Sequence, residues 1–440
     1  MRLVNLALLS GDDAYFAESD TNIYWQANRS SDVWSNIKGI FLATDRMPLY
    51  LLLVEVLRAM FGDHPLVVVL LQTMIDAGTC VVIAALGRLL SPMVGLLAGT
   101  LAAVSPNLII NSTQILTDTV FLFFFSFMLL ACTRFLIKPS LALAAMAGLA
   151  GGLALMTRPS VQFLLLAAVP TVFFVALAHS RRFGFAAAAT LCFTIVAAAP
   201  VAPVLLRNAI QYGALGLTTQ GGDHLAYWIA PLVRQRADGT QYHITVERLN
   251  DEHERRVASR TAAMQTTDPF QSSRIKTEIA REEMANLPTS AFIRAWIEGI
   301  AINLASPALV HDPRVRALPK PSFYGTGGAT LWQKARAYLF ESPGLYQFLV
   351  LAGLLASVPL LILQAVGFFL LARTYPWAAF FAGGVVVYFL LIGGPVATPR
   401  YRMPMEPILI VLISIALYGL FAAQVGGWIT RGRKPDRTVE

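Results

Sequence analysis

Residues 115–137, ILTDTVFLFFFSFMLLACTRFLI, form one of the most apolar stretches of the chain. The part from Thr119 to Ile137 is long enough to cross a bilayer as a helix, since a crossing needs about 20 mostly apolar residues. Asp118 stands at the mouth of this segment, where a carboxylate is costly unless it caps the helix or serves a site. The stretch therefore predicts a transmembrane helix that begins beside an acid with a capping or functional role.

Eight further segments have the same character, which brings the number of predicted membrane spans to nine. They are Leu66–Leu86, Met93–Ile110, Leu141–Met156, Val161–Ala178, Phe183–Leu206, Gln347–Ala372, Trp377–Ile392 and Ile408–Trp428. Two of these, Leu141–Met156 and Trp377–Ile392, are short, which predicts a tilted or partly re-entrant course.

The composition of all 440 residues agrees with a polytopic membrane protein. Apolar residues make up 56% of the chain and charged residues only 14%, against about 25% charged in soluble proteins. This excludes a cytosolic enzyme, a disordered chain and a disulfide-stapled secreted domain. Cys80, Cys132 and Cys192 lie inside apolar runs, so no disulfide framework is predicted. No basic block is interleaved with aromatic residues, so the net charge of +8 does not indicate nucleic-acid binding.

Two apolar stretches near the amino end are not predicted to cross. Met1–Ser10 is too short, and either a first span is truncated here or the chain begins outside. Met47–Phe61 contains Glu55 and Arg58, three residues apart and therefore on one side of a helix. Because two charges at the bilayer centre cost several kcal/mol, this stretch is predicted to lie in the interface, with a further span as the alternative.

Basic residues at the ends of the spans predict the orientation of the chain. With nine crossings, one face carries Arg88, Arg134, Lys138, Arg181, Arg182, Arg373 and the tail Arg431–Lys434, and this face is predicted to be cytoplasmic. The predicted domains are a transmembrane module 1–206 with an outer loop at 11–61, an outer helical subdomain 207–346, spans within 347–430 and a cytoplasmic tail 431–440. Within the outer subdomain, helical spacing is visible in Val246–Met264, Ile275–Asn286 and Phe292–Leu304.

Polar groups beside the spans gather on the predicted outer side. Asp20 and Tyr24 are four residues apart and would share one helix face, with the carboxylate near the helix start, where the dipole favours an anion. A carboxylate held in this way can take a proton from a hydroxyl, although a solvated helix cap explains the spacing too. Asp12, Asp13 and Glu18 complete an acidic cluster, and Asp13 is the alternative base.

Arginines are the other conspicuous outer groups, because guanidinium binds phosphate oxygens with a planar fork. Arg46 precedes Pro48 and Tyr50, and Arg158 lies between two apolar segments before a proline. Arg400 and Arg402 flank Tyr401, and in an extended segment both guanidinium groups would share one face and could clamp a phosphate. Ordinary interface anchoring is the alternative interpretation for Arg46 and for the Arg400–Arg402 group.

The segment that leaves the sixth span offers candidate substrate-binding residues. It contains Arg207 and Asn208, then Gly221, Gly222 and His224. Adjacent glycines allow a ligand to approach the backbone closely, whereas a lone histidine is more often satisfied locally.

Six short motifs occur in order, and the assembled pattern resembles a known family. They are Asp20-x3-Tyr24-x2-Ala27, Arg46-x-Pro48-Leu49-Tyr50, Leu116-Thr117-Asp118, Gly152-Leu-Ala-Leu-x-Thr157-Arg158-Pro159, Arg207-Asn208 before Gly221-Gly222, and Arg400-Tyr401-x-Met403-Pro404. The chain resembles the GT-C integral membrane glycosyltransferases related to protein O-mannosyltransferases and the aminoarabinose transferase of lipid A. The resemblance covers Asp13 to Pro407 and implies an all-α, polytopic GT-C-like helical bundle.

The resemblance also implies a reaction and roles for residues. The reaction is inverting transfer of a sugar from a polyprenyl-phosphate donor to a glycan, lipid or protein of the cell envelope, on the outer face of a bacterial inner membrane. Asp20 would be the general base and Asp118 the second acid near the site. The lipid phosphate would face Arg46, Arg158, Arg400, Tyr401 and Arg402, and the substrate would contact Tyr24, Arg207, Asn208, Gly221, Gly222 and His224. No cofactor is predicted with certainty, and a divalent cation held by the acids stays open.

A transporter or lipid flippase is the competing interpretation. Such a protein should carry charged residues deep inside its spans, and Asp76 is the one obvious carboxylate in the middle of a span. Asp76 is predicted to be paired or packed rather than to relay protons.

Overall fold

The structure, a computed structural model, describes residues 1–9, 19–27, 32–264, 268–320, 322–323, 325–328, 330–341 and 344–424, without the side chains of 19–20, 260–264, 331 and 422–424. All regular secondary structure in these ranges is helical. Asp12, Asp13, Glu18 and the tail 431–440 lie outside the described residues.

Each of the nine predicted spans corresponds to an apolar helix or a bent pair of helices. Six are long enough to cross a membrane: Pro65–Arg88, Asp118–Ile137, Pro159–Ser180, Leu345–Thr374, Pro376–Gly393 and Pro399–Phe421. Two more are bent pairs, Pro92–Val104 with Pro106–Ser112 and Phe183–Ala198 with Ala202–Tyr212. The ninth is the shorter helix Leu141–Leu155. An all-α, polytopic membrane protein is thus confirmed.

Prolines explain both bends. The first pair turns by 51° after Ser105, where Pro106 begins the next helix. The second pair turns by 64°, and Pro200 lies in the break between its two helices. Proline has no N–H and clashes with the preceding turn, so a helix cannot continue regularly through it. The first bend brings the polar helix Pro106–Ser112 beside the start of helix Asp118–Ile137.

The short helix Leu141–Leu155 packs one face against the bundle, while Leu141 and Leu149 are exposed on the other. It contacts helices Asp118–Ile137 and Phe183–Ala198 along its small residues. A Cβ on Gly148 would lie 2.5 Å from the carbonyl oxygen of Phe193, so only glycine permits this approach. At about 1.5 Å per residue the helix is shorter than the hydrocarbon core. Arg158, three residues after the helix end, belongs to the site described below.

The stretch around Met47–Phe61 forms helix Pro48–Phe61. Glu55 is buried and accepts hydrogen bonds from Asn36 Nδ2 and Arg58 Nη1, each at 2.9 Å. The predicted placement of Glu55 and Arg58 on one side is therefore confirmed. Met60 and other apolar side chains are exposed on the opposite side, as expected for a helix whose outer surface meets lipid.

The longer helices of the segment 207–346, which the sequence predicts to be outer, are Ala230–Asp238, Tyr242–Met264, Pro269–Ala285, Thr289–Ala305 and Leu331–Phe340, and the same segment contains the short helices Gln220–His224 and Pro313–Arg316. The three helical stretches predicted from spacing are confirmed. Helix Thr289–Ala305 packs against Pro376–Gly393 and the segment Pro399–Met405. It shares one apolar cluster with helix Ala230–Asp238, and helices Tyr242–Met264 and Pro269–Ala285 contribute to another. The contact with helix Thr289–Ala305 fixes the segment that carries Arg400.

Asp76 is paired, as predicted from the sequence. Its carboxylate is 1% exposed and bonds to Nε of Arg2, in the helix Arg2–Leu9. The same guanidinium donates to the carbonyl oxygens of Ala102 and Ala103 and to Sγ of Cys80. A buried carboxylate engaged in this way is a structural ion pair and not an open relay.

Candidate active site

The centre of the candidate site is the carboxylate of Asp118, the first residue of helix Asp118–Ile137. It is fully buried and bonds to two guanidinium groups from distant parts of the chain. Oδ1 accepts from Nη1 of Arg158, and Oδ2 accepts from Nε of Arg400 at 2.7 Å. The sequence had placed all three residues on the outer side, and the structure brings them together.

Local structure positions both arginines. Arg158 has an extended backbone and directly precedes the short 3₁₀-helix Pro159–Val161. Arg400 lies in the 3₁₀-helix Pro399–Met405, whose first turn is capped because Thr398 Oγ1 accepts a hydrogen bond from the Arg400 amide. Thr398 in turn donates its own amide to Oδ1 of Asn303 at 3.0 Å. The arginine backbones are therefore held by their neighbours.

Exposure differs within the cluster in a way that matters chemically. Asp118 is 0% exposed, whereas Arg158 is 17% and Arg400 is 14% exposed. One negative and two positive charges leave a net positive cluster, and the part of it that solvent reaches belongs to the two arginine side chains. Such a surface fits an anion that bonds to several N–H groups, above all a phosphate.

Aromatic residues and a third arginine lie next to this cluster. The guanidinium of Arg46 sits over the Tyr24 ring at 4.7 Å, and the Tyr24 and Tyr50 rings meet edge to face at 5.5 Å. Burial raises the pKa of Tyr50 well above its ordinary value, and the Tyr24 phenol and the Asp118 carboxylate add to this effect. Tyr50 is therefore a neutral donor, and its hydroxyl binds Oε1 of Gln72.

Asp20 lies in the helix Ser19–Trp25, one turn before Tyr24. Its side chain is outside the described part of the structure, so its role as the base stays a prediction.

Arg402 does not join Arg400 at Asp118. Its Nε donates to Glu406 at 2.9 Å, and its Nη1 donates to the carbonyl oxygens of Leu304 and Ser306. The predicted extended arrangement is wrong, because residues 399–405 form a 3₁₀-helix, in which residues two apart do not share a face. Tyr401 packs in an apolar cluster with Trp296 and Val396.

Arg207 and Asn208 bind the protein backbone. Arg207 donates to the carbonyl oxygens of Phe41 and Ala43, and its guanidinium also donates to Oδ1 of Asn208. Asn208 Nδ2 donates to the carbonyl oxygen of Gly216 at 2.7 Å. These bonds close the loop that precedes Arg46, so the two residues position that loop; contact with a substrate stays a prediction.

The two adjacent glycines occupy different surroundings in the helix Gln220–His224. A Cβ on Gly222 would lie 2.3 Å from the carbonyl oxygen of Ser273, whereas nothing lies within 4 Å of a Cβ on Gly221. The space beside Gly222 is thus filled by helix Pro269–Ala285, and only Gly221 faces open space. Burial lowers the pKa of His224, which favours its neutral form.

This contrast predicts different outcomes for two matched substitutions. Gly222→Ala should destabilise the chain by about 1–3 kcal/mol, since overpacking forces backbone apart. Gly221→Ala should leave the stability unchanged or raise it by up to about 1 kcal/mol, because alanine favours the helical backbone more than glycine does. Thermal unfolding of both purified variants checks this, and equal melting temperatures for the two would contradict the packing described here.

Sequence reasoning missed a group of buried polar side chains that support the site. Gln72 Nε2 donates to the carbonyl oxygen of Gln114, and Asn107 Nδ2 donates to Glu406 Oε1 at 2.8 Å. Asn111 is buried beside Asn107 and donates to its carbonyl oxygen. The available signal was the polar run from Asn107 to Gln114 between two apolar spans.

Within the described ranges, no group of three histidine, cysteine, aspartate or glutamate side chains could hold a metal ion. Both oxygens of Asp118 are already bound by arginine. The Asp118 cluster therefore does not fit a divalent cation.

Comparison with known proteins supports the resemblance seen in the motifs. The family model described as dolichyl-phosphate-mannose-protein mannosyltransferase matches residues 45–206, which include Arg46, Asp118 and Arg158. Among curated proteins none matches this chain. Among solved structures, the chain matches the crystal structure of ArnT from Cupriavidus metallidurans in the apo state, with 13% identity over 96% of this chain and 78% of that chain. The TM-score is 0.35, and a likeness at this level supports no conclusion about fold or activity.

Proposed function

We propose that this chain is a membrane glycosyltransferase that moves a sugar from a polyprenyl phosphate to an acceptor hydroxyl. The observation that carries the proposal is the Asp118 cluster, in which one buried carboxylate holds Arg158 and Arg400, whose side chains are partly exposed. Two of its three members lie in the region that matches the mannosyltransferase family model.

The arginines can stabilise the negative charge that develops on the leaving phosphate. When the bond between the sugar and the phosphate breaks, the electron pair stays with the phosphate oxygen and negative charge grows there. Donors fixed in advance at that position stabilise the transition state more than the ground state. Asp118 is a positioning residue in this account, because arginine side chains separate its carboxylate from solvent.

The acceptor hydroxyl attacks the anomeric carbon from the side opposite the phosphate. A new bond forms between that carbon and the acceptor oxygen, and Asp20 takes the hydroxyl proton. One displacement inverts the anomeric centre and needs no covalent enzyme intermediate. The sugar–phosphate bond supplies the driving force, which agrees with a sequence that contains no Gly-x4-Gly-Lys loop.

The acceptor is proposed to lie on the outer face of a bacterial inner membrane. The support is the distribution of basic residues at the ends of the nine predicted spans. If each span crosses once, Arg88, Arg134, Arg181 and Arg373 lie on one face, predicted to be cytoplasmic, and Arg158 and Arg400 lie on the other. A glycan, a lipid or a protein of the cell envelope would then meet the donor at the outer rim of the bilayer. The transporter alternative gains no support from Asp76, whose carboxylate is bound by Arg2.

Transfer in reconstituted vesicles tests the proposal. The purified chain is supplied with polyprenyl-phosphate hexoses, pentoses and aminosugars, together with extracted envelope lipids and glycans, and products are identified by mass spectrometry. We expect a sugar-bearing product from one donor with an inverted anomeric centre by NMR. Movement of the intact lipid-linked sugar across the vesicle membrane without any new glycosidic bond would contradict the proposal and favour a flippase.

A further inference from the structure

A polar cleft of about 430 Å³ lies beside the loop that carries Arg46. Its walls are residues 42–45, the segment around Thr219–Asp223, and the first turns of helix Pro269–Ala285. The volume falls within the range of small-molecule sites, about 300–1,000 Å³.

Hydrogen bonds between the walls show that the cleft is a built feature. The carbonyl oxygen of Thr44 accepts from the Thr219 amide at 2.9 Å. Ser273 Oγ donates to the carbonyl oxygen of Thr219 and accepts from the Gly222 amide at 3.2 Å. All three walls are therefore tied together before any ligand enters, which lowers the entropic cost of binding.

The lining is rich in hydroxyl and carboxylate groups. Thr44, Thr219, Ser272 and Ser273 contribute hydroxyls. Asp45 and Asp223 contribute carboxylates that are 61% and 45% exposed. Ser272 Oγ already bonds to Nε2 of His253, and Ser273 Oγ bonds to the neighbouring wall. The two partly exposed carboxylates are therefore the main acceptors that the lining offers to sugar hydroxyls.

The charges at the lining are paired. Lys276 is the one cation among the lining residues, and its Nζ is bound to Asp223 at 2.6 Å and lies 5.2 Å from the centre of the Tyr227 ring. The other lining carboxylate, Asp45, lies next to the guanidinium of Arg46, so two carboxylates face two cations. A neutral polar group therefore suits the cleft better than an anion, which the net positive Asp118 cluster attracts.

The cleft adjoins the wall of the candidate active site. Asp45 Oδ2 lies 3.4 Å from Nε of Arg46, and the same guanidinium covers the Tyr24 ring. A molecule seated in the cleft would therefore reach toward Tyr24 and toward the helix that carries Asp20.

We propose that this cleft binds a neutral, polyhydroxylated sugar unit of the acceptor. The inference rests on the proposed function, because it names the chemical class of the acceptor that the transferase would use. The acceptor would be a glycan or a glycosylated lipid that presents an uncharged sugar, and not a bare peptide or a phosphate.

Saturation-transfer NMR on the full chain in lipid nanodiscs, without donor, tests this inference. The probes are a neutral methyl hexoside, a neutral disaccharide, a methyl glucuronide and a hexose 6-phosphate. We expect saturation transfer from the protein to the two neutral probes. Asp45→Asn should bind them about tenfold more weakly, as expected for the loss of one hydrogen bond to a charged group.

Thr44→Trp should abolish binding, because its backbone bond to Thr219 stays while the side chain fills the cleft. The matched control is Gln241→Trp, an exposed position outside the cleft that should bind as wild type does.

A second measurement on the wild-type chain keeps the inference testable if Thr44→Trp fails to fold. A neutral hexoside bearing a photoreactive diazirine should label peptides that contain residues 42–45 or 269–276. Labelling confined to other peptides, unchanged binding in Thr44→Trp, or stronger binding of the acidic and phosphorylated probes would overturn the inference.

The experiments distinguish an error in the acceptor-site proposal from an error in the proposed transferase function. If Thr44→Trp transfers sugar at the wild-type rate, the cleft is not the acceptor site and the transferase stands. If neutral sugars bind in the cleft but no donor supports transfer, the sugar site stands and the transferase is rejected.

Discussion

Replacing Asp118 with asparagine is expected to destabilise the chain by about 3 kcal/mol and to remove sugar transfer. The carboxylate is fully buried between Arg158 and Arg400, and removal of one partner from a buried ion pair leaves uncompensated charge, which costs about 3–5 kcal/mol. The lower value applies because both arginines retain some exposure to solvent. Chemical unfolding in mixed micelles measures the stability, and transfer in vesicles measures the activity.

The matched control for this substitution is Asp251→Asn, which makes the same change at an exposed position of helix Tyr242–Met264. It should leave both stability and transfer close to those of the wild type, since surface substitutions change stability by less than about 0.5 kcal/mol. Wild-type stability in Asp118→Asn would show that the two arginines do not depend on this carboxylate.

Replacing Asp20 with asparagine is expected to lower the rate of transfer by about 100-fold to 10,000-fold, the usual contribution of a general base. The binding of the donor and the melting temperature should stay close to wild type, because the substitution removes proton acceptance and keeps the shape of the side chain. Initial rates of transfer and donor titrations on the same preparation check both statements.

Two substitutions in the same predicted outer loop make this test specific. Asp32→Asn changes the cap of helix Val33–Leu42, where the carboxylate accepts from the Trp34 and Ser35 amides, and it should preserve transfer. Asp13→Asn examines the alternative base. A large loss of rate in Asp13→Asn with normal turnover in Asp20→Asn would identify Asp13, and not Asp20, as the general base.

The membrane helices could be predicted from the sequence because length and hydropathy alone limit what can cross a bilayer. That Asp118, Arg158 and Arg400 lie close together could also be predicted, because charged residues at span ends on one side of a membrane have few partners other than one another. Asp76 was predicted to be paired or packed, but its partner, Arg2, was not predicted, because the short segment Met1–Ser10 offered no reason to enter the bundle.

What sequence reasoning missed depends on contacts between distant segments. The different partners of Arg400 and Arg402 follow from the 3₁₀-helix at Pro399–Met405, and this local geometry is stabilised by Asn303 from another helix. The tight packing at Gly222 depends in the same way on Ser273. Neither contact leaves a local signal in the chain, since glycine beside a ligand and glycine beside another helix look alike.

Binding of a polyprenyl phosphate to the full chain in nanodiscs, followed by native mass spectrometry, tests the central claim most directly. If Arg158 and Arg400 form the phosphate site, Arg400→Gln should weaken binding by about tenfold or more, as expected for a lost hydrogen bond to a charged group. Arg373→Gln, at the end of helix Leu345–Thr374, should bind as tightly as the wild type. Equal affinities in all three proteins would contradict this claim, because the arginine side chains at Asp118 would then have no part in holding the donor.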